Sequence, residues 1–539
     1  MKPSNVFNVT GTGFFGIDLG TTNSVVATFK ANSQVPEALY SKSGPITPSV
    51  VAFMPDRGTI IGNEARNLRG KMTTYSSFKK FMGTTHTFEG GYTAKDISKI
   101  FIDKLMSEIL EINPEYKKTK DVVVSVPAYF DAPQIQDTAS VFIELGFNVL
   151  FIQQEPISAA LLYQTLKKID STISVFDLGG GTFDTILIES MTGFPKDSVE
   201  FYRKLGVELP SIEDTLSIID ISGDNLLGGD NIDEEVYRII CSEYKIRPPR
   251  EEIINVIEDV KILRQSRTFK WKGKTHTITP EHVIAATDVI WKRAEAIMNA
   301  RFKAKKVVKP HIVLCGGSTK SQYIQQKLRE NYDVSSEIDP DLSVALGNAM
   351  TARNIVENQG LPFLSVMPKH IGVKVGGRLK PVVKKGQVFP CVGRTFARSK
   401  EKYVQKMDIN FYQSEDLFST PTLISTVTID SIEKWDSEGY ANIQVTVRVL
   451  ADQTLRVEVY HEETSSELEA EISFIANDIS AKDESKGSKA YNRFKQKYDS
   501  LGQKDEQLEQ LLETFKDSGD DKSLATQIAV SLAKKVGKR

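Results

Sequence analysis

Two textures of hydrophobic patterning divide the chain. In the first part, apolar runs alternate with segments of helical spacing; from Met367 onward, apolar residues recur at every second position. Ile97, Ile100, Phe101, Leu105, Ile109 and Leu110 predict a helix from about Ala94 to Leu110. Asp121 to Val126 reads as a buried strand, and Pro127 and Pro133 bracket the start of the next helix. Val149 to Ile152 is another strand, delivering Gln153-Gln154-Glu155-Pro156 into a helix over Ile157 to Leu166. Further helices are predicted through Glu235, Val236, Ile239 and Ile240, along Glu258, Lys261, Arg264 and Gln265, and from Pro280 towards Phe302. Strands alternating with helices predict an α/β layered fold with a mostly parallel sheet. Met191 to Glu213 has no clear period and reads as an inserted surface loop.

The texture changes at Gly360-Leu361-Pro362-Phe363-Leu364-Ser365-Val366, a short apolar segment broken by proline. Beyond it, Ile443, Val445, Val447 and Val449 alternate with Gln444, Thr446 and Arg448, and Leu468, Ala470 and Ile472 alternate with Glu467, Glu469 and Glu471. Period two over successive segments predicts antiparallel sheets with one face buried, hence a β-sandwich. Past Asn477 charge rises; Leu508, Leu511, Leu512 and Phe515, then Leu524, Ile528 and Leu532, predict two short amphipathic helices whose apolar faces dock on neighbouring helices.

Chemistry enters at Phe176-Asp177-Leu178-Gly179-Gly180-Gly181-Thr182-Phe183-Asp184. An apolar strand ends on a carboxylate, passes three glycines, reaches a hydroxyl and enters a second strand. Glycines let backbone N–H groups approach an anion closely, because no Cβ stands in the way. The aspartate would repel a bare phosphate, so the pattern suits a hydrated divalent cation between the two. The same grammar stands near the N-terminus, in Phe15-Gly16-Ile17-Asp18-Leu19-Gly20-Thr21-Thr22-Asn23-Ser24. Two such hairpins facing each other would set two carboxylates and two glycine turns around one polyphosphate. A third glycine turn, Cys315-Gly316-Gly317-Ser318-Thr319-Lys320, follows the strand Ile312-Val313-Leu314 and leads into a helix whose N-terminus favours negative charge, and Gly228-Gly229 opens another helix.

Composition narrows the class. A length of 539 residues implies two to four domains. A net charge of −2 gives no electrostatic case for nucleic acid or an anionic membrane as main partner. Cys241, Cys315 and Cys391 are far apart and form no C-x-x-C, which argues against a disulfide framework or zinc site. No targeting, retention or membrane-spanning segment is read, so a cytoplasmic location is expected.

With these residues assembled, the chain resembles the Hsp70 (DnaK-type) chaperones over nearly its whole length. The resemblance rests on Gly-Ile-Asp-Leu-Gly-Thr-Thr-Asn-Ser at 16–24, Val-Pro-Ala-Tyr-Phe at 126–130, Phe-Asp-Leu-Gly-Gly-Gly-Thr-Phe-Asp at 176–184 and Gly-Gly-Ser-Thr at 316–319, in the family's order. It implies a two-lobed, α/β, actin-like ATPase domain over 1–359, a linker over 360–366, a β-sandwich peptide-binding domain over 367–476 and a truncated helical lid over 477–539. It also implies ATP/ADP, Mg²⁺ and K⁺ as ligands. Asp18 and Asp177 match the carboxylates that hold the metal through water, Thr182 the hydroxyl beside the γ-phosphate, Lys79 the lysine on attacking water and γ-phosphate, and Glu155 the carboxylate that helps order them. Gly20, Thr21, Thr22, Asn23, Gly179, Gly180, Gly181, Gly228, Gly229, Glu258, Lys261, Gln265, Gly316, Gly317, Ser318, Lys320 and Asp341 match nucleotide-binding positions, with Lys320 where many relatives stack an arginine on adenine. Val375, Phe396, Met407 and Ile409 fall near positions that line the family's peptide groove.

Departures from the family pattern concern regulation. Phe151 stands where relatives carry an arginine that meets J-domain partners, Gln154 replaces an asparagine beside it, and Ile135 replaces an arginine of domain coupling. Pro362 and Ser365 interrupt the usual linker. The resemblance thus implies an ATP-hydrolysing chaperone that binds and releases extended apolar peptide segments, with J-domain and nucleotide-exchange partners. The alternative is a nucleotide-binding regulatory co-chaperone with weak or no ATP-coupled peptide release. A sugar or metabolite kinase of the same superfamily would need a second α/β lobe for its acceptor, against the alternation after residue 366.

Overall fold

The structure, a computed structural model, describes residues 9–472 apart from 55–57, 129, 131, 168–170, 191–215, 225, 358–362, 368, 376–377, 386, 390, 415, 418–419, 431, 433, 450–454 and 462–465. The loop expected over 191–213, the proline of the linker and the amphipathic helices after 477 lie outside the described residues.

Two sheets dominate the first part. The first has strands Glu37–Ala38, Asn23–Thr28, Phe14–Leu19, Asp121–Val126 and Asn148–Gln154 in that spatial order, with Thr47–Pro48 also pairing Asn23–Thr28. The second runs Val334–Ser335, His311–Cys315, Ile173–Leu178, Phe183–Ser190, Leu216–Asp224, Phe363–Val366 and Val388–Phe389. The internal repeat is therefore one of topology as well as sequence. Phe14–Leu19 pairs antiparallel with Asn23–Thr28 and parallel with Asp121–Val126, while Ile173–Leu178 pairs antiparallel with Phe183–Ser190 and parallel with His311–Cys315. Both sheets are mixed, not mostly parallel, because a short glycine turn can only return the chain antiparallel.

The strands Ile173–Leu178 and His311–Cys315 of the second sheet are buried on both faces, which is why they read as continuous apolar runs. Phe176, Leu178 and Phe183 pack with Val236, Ile257 and Trp291, while Val175, Ile186 and Val313 pack with Phe151, Tyr163 and Val344. Each large apolar side chain removed from water in this way contributes roughly 1.5–3 kcal/mol. The helix Ala94–Ile112, as its 3.6-residue spacing predicts, lays Ile97, Phe101, Leu105 and Ile109 on the first sheet; Thr93 caps it and accepts from the Asp96 N–H.

The helix Ser343–Val356 joins the two repeats. A Cβ on Gly16 would fall 2.1 Å from the Ala349 nitrogen, so only glycine lets the first strand lie against this helix. Its polar side is satisfied by a chain of hydrogen bonds: Asn348 Nδ2 donates to the Ile17 carbonyl at 2.9 Å, Ser158 Oγ donates to Asn348 Oδ1 at 2.6 Å, and Gln153 Nε2 donates to Ser158 Oγ at 2.7 Å. Buried polar atoms matched in this way fix the register of helix and strand.

The alternating part folds into two four-stranded antiparallel sheets. One orders Arg378–Val383, His370–Val375, Lys406–Ser414 and Thr422–Asp430; the other orders Cys391–Arg398, Asn442–Val449, Leu455–His461 and Ser466–Ile472. Ile371, Ile409, Phe411 and Ile429 from the first share one core with Ile443, Val445 and Val447 from the second. The segment Phe363–Val366 does more than separate the two parts. It is a strand that pairs parallel with Leu216 and Ser217 and antiparallel with Val388 and Phe389.

Candidate functional site

The two glycine hairpins meet. A Cβ on Gly180 would lie 1.8 Å from Thr22 Oγ1, and one on Gly181 would lie 2.4 Å from Lys80 Cε and 3.2 Å from the Thr21 methyl. Within each hairpin the turn is closed by its own backbone: the Gly179 N–H donates to the Thr182 carbonyl at 3.0 Å, and Gly20 sits against the Asn23 carbonyl. The helix Gly229–Tyr244 anchors the second turn, because the Gly229 and Asp230 N–H groups donate to the Gly179 and Gly180 carbonyls at 2.9 and 2.7 Å. The third glycine turn joins them through Ser318 Oγ, which donates to the Gly179 carbonyl at 3.0 Å. Asp341 closes the ring: it accepts from Asn23 Nδ2 at 3.4 Å and lies where a Cβ on Gly317 would go.

Beneath the turns stand four carboxylates and one buried ammonium. Lys79, 2 % exposed, donates to Glu155 Oε1 at 2.6 Å, and its ammonium lies 5.7 Å from the Phe130 ring centroid. Ser125 Oγ donates to Asp18 Oδ1 at 3.4 Å. Asp177 is directly opposite Asp184 in the hairpin register, and both carboxylates are buried; among the described residues no donor stands within hydrogen-bond geometry of Asp177 Oδ2 or of the Asp184 oxygens, the Ala128 backbone being the one that draws Asp184 down. Burial, then the Glu155 charge, pushes Asp18 up to about 7, against the pull of Lys79 and Ser125. Burial and the Glu155 and Asp184 charges hold Asp177 well above the usual carboxylate range, and burial and Glu155 do the same to Asp184. The Cys315 thiol beside Asp177 is raised by burial and by that carboxylate.

This donor set fits a divalent cation. Like charges crowded out of water call for a positive charge, and Lys79 alone supplies too little. Among the described residues no group of three or more His, Cys, Asp or Glu stands close enough to clasp an ion directly. The residues therefore suit an ion that keeps its water shell, as Mg²⁺ does beside phosphate.

Asp18, Lys79, Glu155, Asp177, Gly20, Thr21, Thr22, Asn23, Gly179, Gly180, Gly181, Thr182, Gly228, Gly229, Gly316, Gly317, Ser318 and Asp341 thus lie on the meeting elements. Glu258 and Lys261 are nearby but engaged: Glu258 accepts from Arg66 Nε at 2.9 Å and pairs with Arg69, and Lys261 pairs with Asp233 and donates to the Gly229 carbonyl at 3.5 Å. Burial raises Glu258, but Arg69 and Arg66 outweigh it and hold the carboxyl below its ordinary range. Gln265 stands exposed beyond the helix Arg250–Leu263. Lys320 pairs with Asp339 at 2.6 Å and Asp341 at 2.7 Å, so its ammonium is occupied.

Of the four residues expected to line a peptide groove, three have described side chains, and these sit in different surroundings. Phe396 is 63 % exposed on the outer face of one sheet, while Ile409, 4 % exposed, lies in the shared core of the sandwich with Met407 packed against that core. Alternation marks an inward face but not which inward residues border an opening. Val375 closes the hairpin opposite Arg378, and its side chain lies outside the described residues. Phe151, at the J-domain position, is fully buried.

Three site residues escaped the sequence reading. Asp184 was legible in principle, since the short turn between Leu178 and Phe183 puts it opposite Asp177. Asp230, which binds Lys80 at 2.7 Å and accepts from Ser77 at 2.9 Å, and Arg264, which donates to the Lys320 carbonyl at 2.8 Å, depend on long-range packing.

A profile of the Hsp70 protein family matches residues 14–89, 84–196 and 281–538. The chain is 27 % identical over 446 residues to "Chaperone protein DnaK" of Thermosipho africanus, covering 74 % of this chain and 70 % of that protein. It is 28 % identical over 520 residues to "Chaperone protein HscA homolog" of Janthinobacterium sp., covering 85 % and 77 %. A DnaK of Thermotoga maritima is 27 % identical over 447 residues. No described helix is long and apolar enough to cross a membrane. The paired glycine hairpins, the buried Lys79–Glu155 pair and a family match reaching from residue 14 to 538 lead to one conclusion: the chain is a divergent member of the Hsp70 chaperone family.

Proposed function

We propose that this chaperone binds and hydrolyses ATP with Mg²⁺, and uses the nucleotide to control its hold on extended apolar polypeptide segments. The observation that carries the reading is the meeting of the Gly180 and Thr22 turns above the buried Lys79–Glu155 pair. Backbone N–H groups of the glycine turns and the Thr21, Thr22, Asn23 and Thr182 hydroxyl or amide groups would cradle the phosphates. Mg²⁺, held through water by Asp18 and Asp177, would supply the charge that offsets the phosphoryl oxygens, with K⁺ as a flanking counter-ion. Lys79 would sit against the transferring phosphoryl group and orient the attacking water, while Glu155 fixes the Lys79 ammonium. Phosphoryl transfer to water needs positioning and charge neutralisation more than covalent help, and these side chains offer both.

The strand Phe363–Val366 supports a coupling role, since it is hydrogen-bonded both to Leu216 and Ser217 and to Val388 and Phe389 within the sandwich sequence. On this reading the sandwich domain over 367–476 takes the polypeptide segment by backbone pairing and side-chain pockets. Phe151 offers no charge to a J-domain partner, so stimulation by such a partner would use other residues. Turnover of ATP by the purified full chain with Mg²⁺, lost on Lys79→Ala, tests the reading; absent turnover in the parent chain would overturn it.

A further inference from the structure

Lys79 and Lys80 stand side by side on the 3₁₀ turn Phe78–Phe81, and the fold uses them differently. Lys79 is buried on Glu155. The Lys80 side chain is 29 % exposed and runs over the glycine turn: a Cβ on Gly181 would fall 2.4 Å from Lys80 Cε and 3.3 Å from Lys80 Cγ. Its ammonium reaches Asp230 Oδ2 at 2.7 Å. Asp230 stands in the first turn of the helix Gly229–Tyr244, where its own N–H donates to the Gly180 carbonyl at 2.7 Å. The Asp230 carboxylate also accepts from Ser77 Oγ at 2.9 Å, and Ser77 reaches it from a left-handed backbone (φ 52°), which a non-glycine residue keeps only when its surroundings hold it there. One carboxylate beside the glycine turn thus gathers an ammonium and a hydroxyl, the donors that a phosphate at that turn would take.

We infer that Lys80 senses the γ-phosphate: the triphosphate of ATP draws its ammonium away from Asp230, and the pair re-forms when the nucleotide carries only two phosphates. This rests on the nucleotide-binding reading above. Asp230 offers a single negative charge against a terminal phosphate that carries more. A lysine is suited to the exchange, because its point charge rides on a flexible four-carbon stem and can change partner without moving the backbone. Lys79 is not free to do this, being buried and needed to offset the charge of Glu155. The exchange also carries information between the two sheets. Phe78, next to these lysines, is packed in the core of the first sheet, and Val236, on the helix that Asp230 opens, in the core of the second. A diphosphate leaves the two sides tied through Lys80 and Asp230, and a triphosphate unties them.

The test compares ADP with the β,γ-imido analogue of ATP, each with Mg²⁺, by calorimetry on the full chain. Lys80→Ala is expected to weaken the analogue roughly 5- to 30-fold and ADP by no more than about twofold. Asp230→Asn keeps the shape but frees Lys80, so it is expected to tighten the analogue about threefold or more, again with ADP within about twofold; combined with Lys80→Ala, that gain disappears. A pair that only braces the fold would instead give losses in both variants and for both ligands. That result, an unchanged analogue affinity in Lys80→Ala, or a gain in Asp230→Asn that survives the loss of Lys80 would overturn the inference while leaving nucleotide binding standing. A parent chain that binds neither nucleotide would remove the nucleotide reading itself, and the inference with it.

Discussion

Gly228 stands so close to Gly180 that a Cβ on it would fall 2.6 Å from the Gly180 carbonyl oxygen and 2.6 Å from the Gly181 nitrogen. Backbone cannot step aside as a side-chain tip can, so this contact fixes the helix Gly229–Tyr244 against the glycine turn. Gly228→Ala is expected to push the two apart, weakening ADP binding at least about tenfold and destabilising the chain by roughly 1–3 kcal/mol. Calorimetric titration together with thermal melting checks both parts. Wild-type affinity in the variant would mean that the contact does not shape the site.

Asp184 is a buried carboxylate opposite another. Asp184→Asn removes like-charge repulsion, so the ligand-free chain should melt at the same or a higher temperature. Turnover with Mg²⁺ should nevertheless fall at least about tenfold, since the Asp184 charge opposite Asp177 adds to the negative field proposed to hold the hydrated cation. A variant that is both less stable and fully active would contradict this account of the residue.

Two residues of the sandwich separate core from surface. Ile409→Ala empties a packed position and is expected to cost about 2–4 kcal/mol, whereas Phe396→Ala, on the outer face, should stay within about 0.5 kcal/mol. Denaturant melts of both variants decide it; equal costs would mean that the two side chains share one environment.

The meeting of the two glycine hairpins was legible in the sequence because each hairpin is local code. Asp18 and Asp177 each sit in a strand–glycine–hydroxyl–strand stretch, and short turns force the antiparallel pairing that the structure has. The mixed sheets differ from the expected parallel ones for the same reason. What the sequence left out is non-local: Lys320 meets Asp339 and Asp341 across the fold, Arg264 meets Lys320 from another helix, and Phe363–Val366 pairs with strands far away in the chain. In the sandwich, period two placed Val445 and Val447 inward, but an inward side chain is core unless something opens the sheet beside it.

Glu258 links the helix Arg250–Leu263 to Arg66 and Arg69, and its folded-state carboxyl titrates below its ordinary range. A depressed carboxyl contributes stability that is present above the unfolded value near 4.5 and is lost as pH falls through the lower folded value. Glu258→Gln should therefore lower the first melting transition by several degrees at pH 7, roughly 2–4 °C per kcal/mol lost, and the gap to the parent should close below pH 4.5. A gap that persists undiminished in acid would show that packing, not charge, is what the substitution removes.

The central claim is that nucleotide at the paired glycine turns governs the sandwich's grip on a polypeptide. Its most direct test is the release rate of a fluorescent, extended apolar peptide from the full chain, followed before and after addition of ATP with Mg²⁺ and K⁺. Release is expected to be at least about tenfold faster with ATP, the size of an ordinary coupling free energy between two sites. Peptide that binds and leaves at the same rate with and without ATP would contradict it.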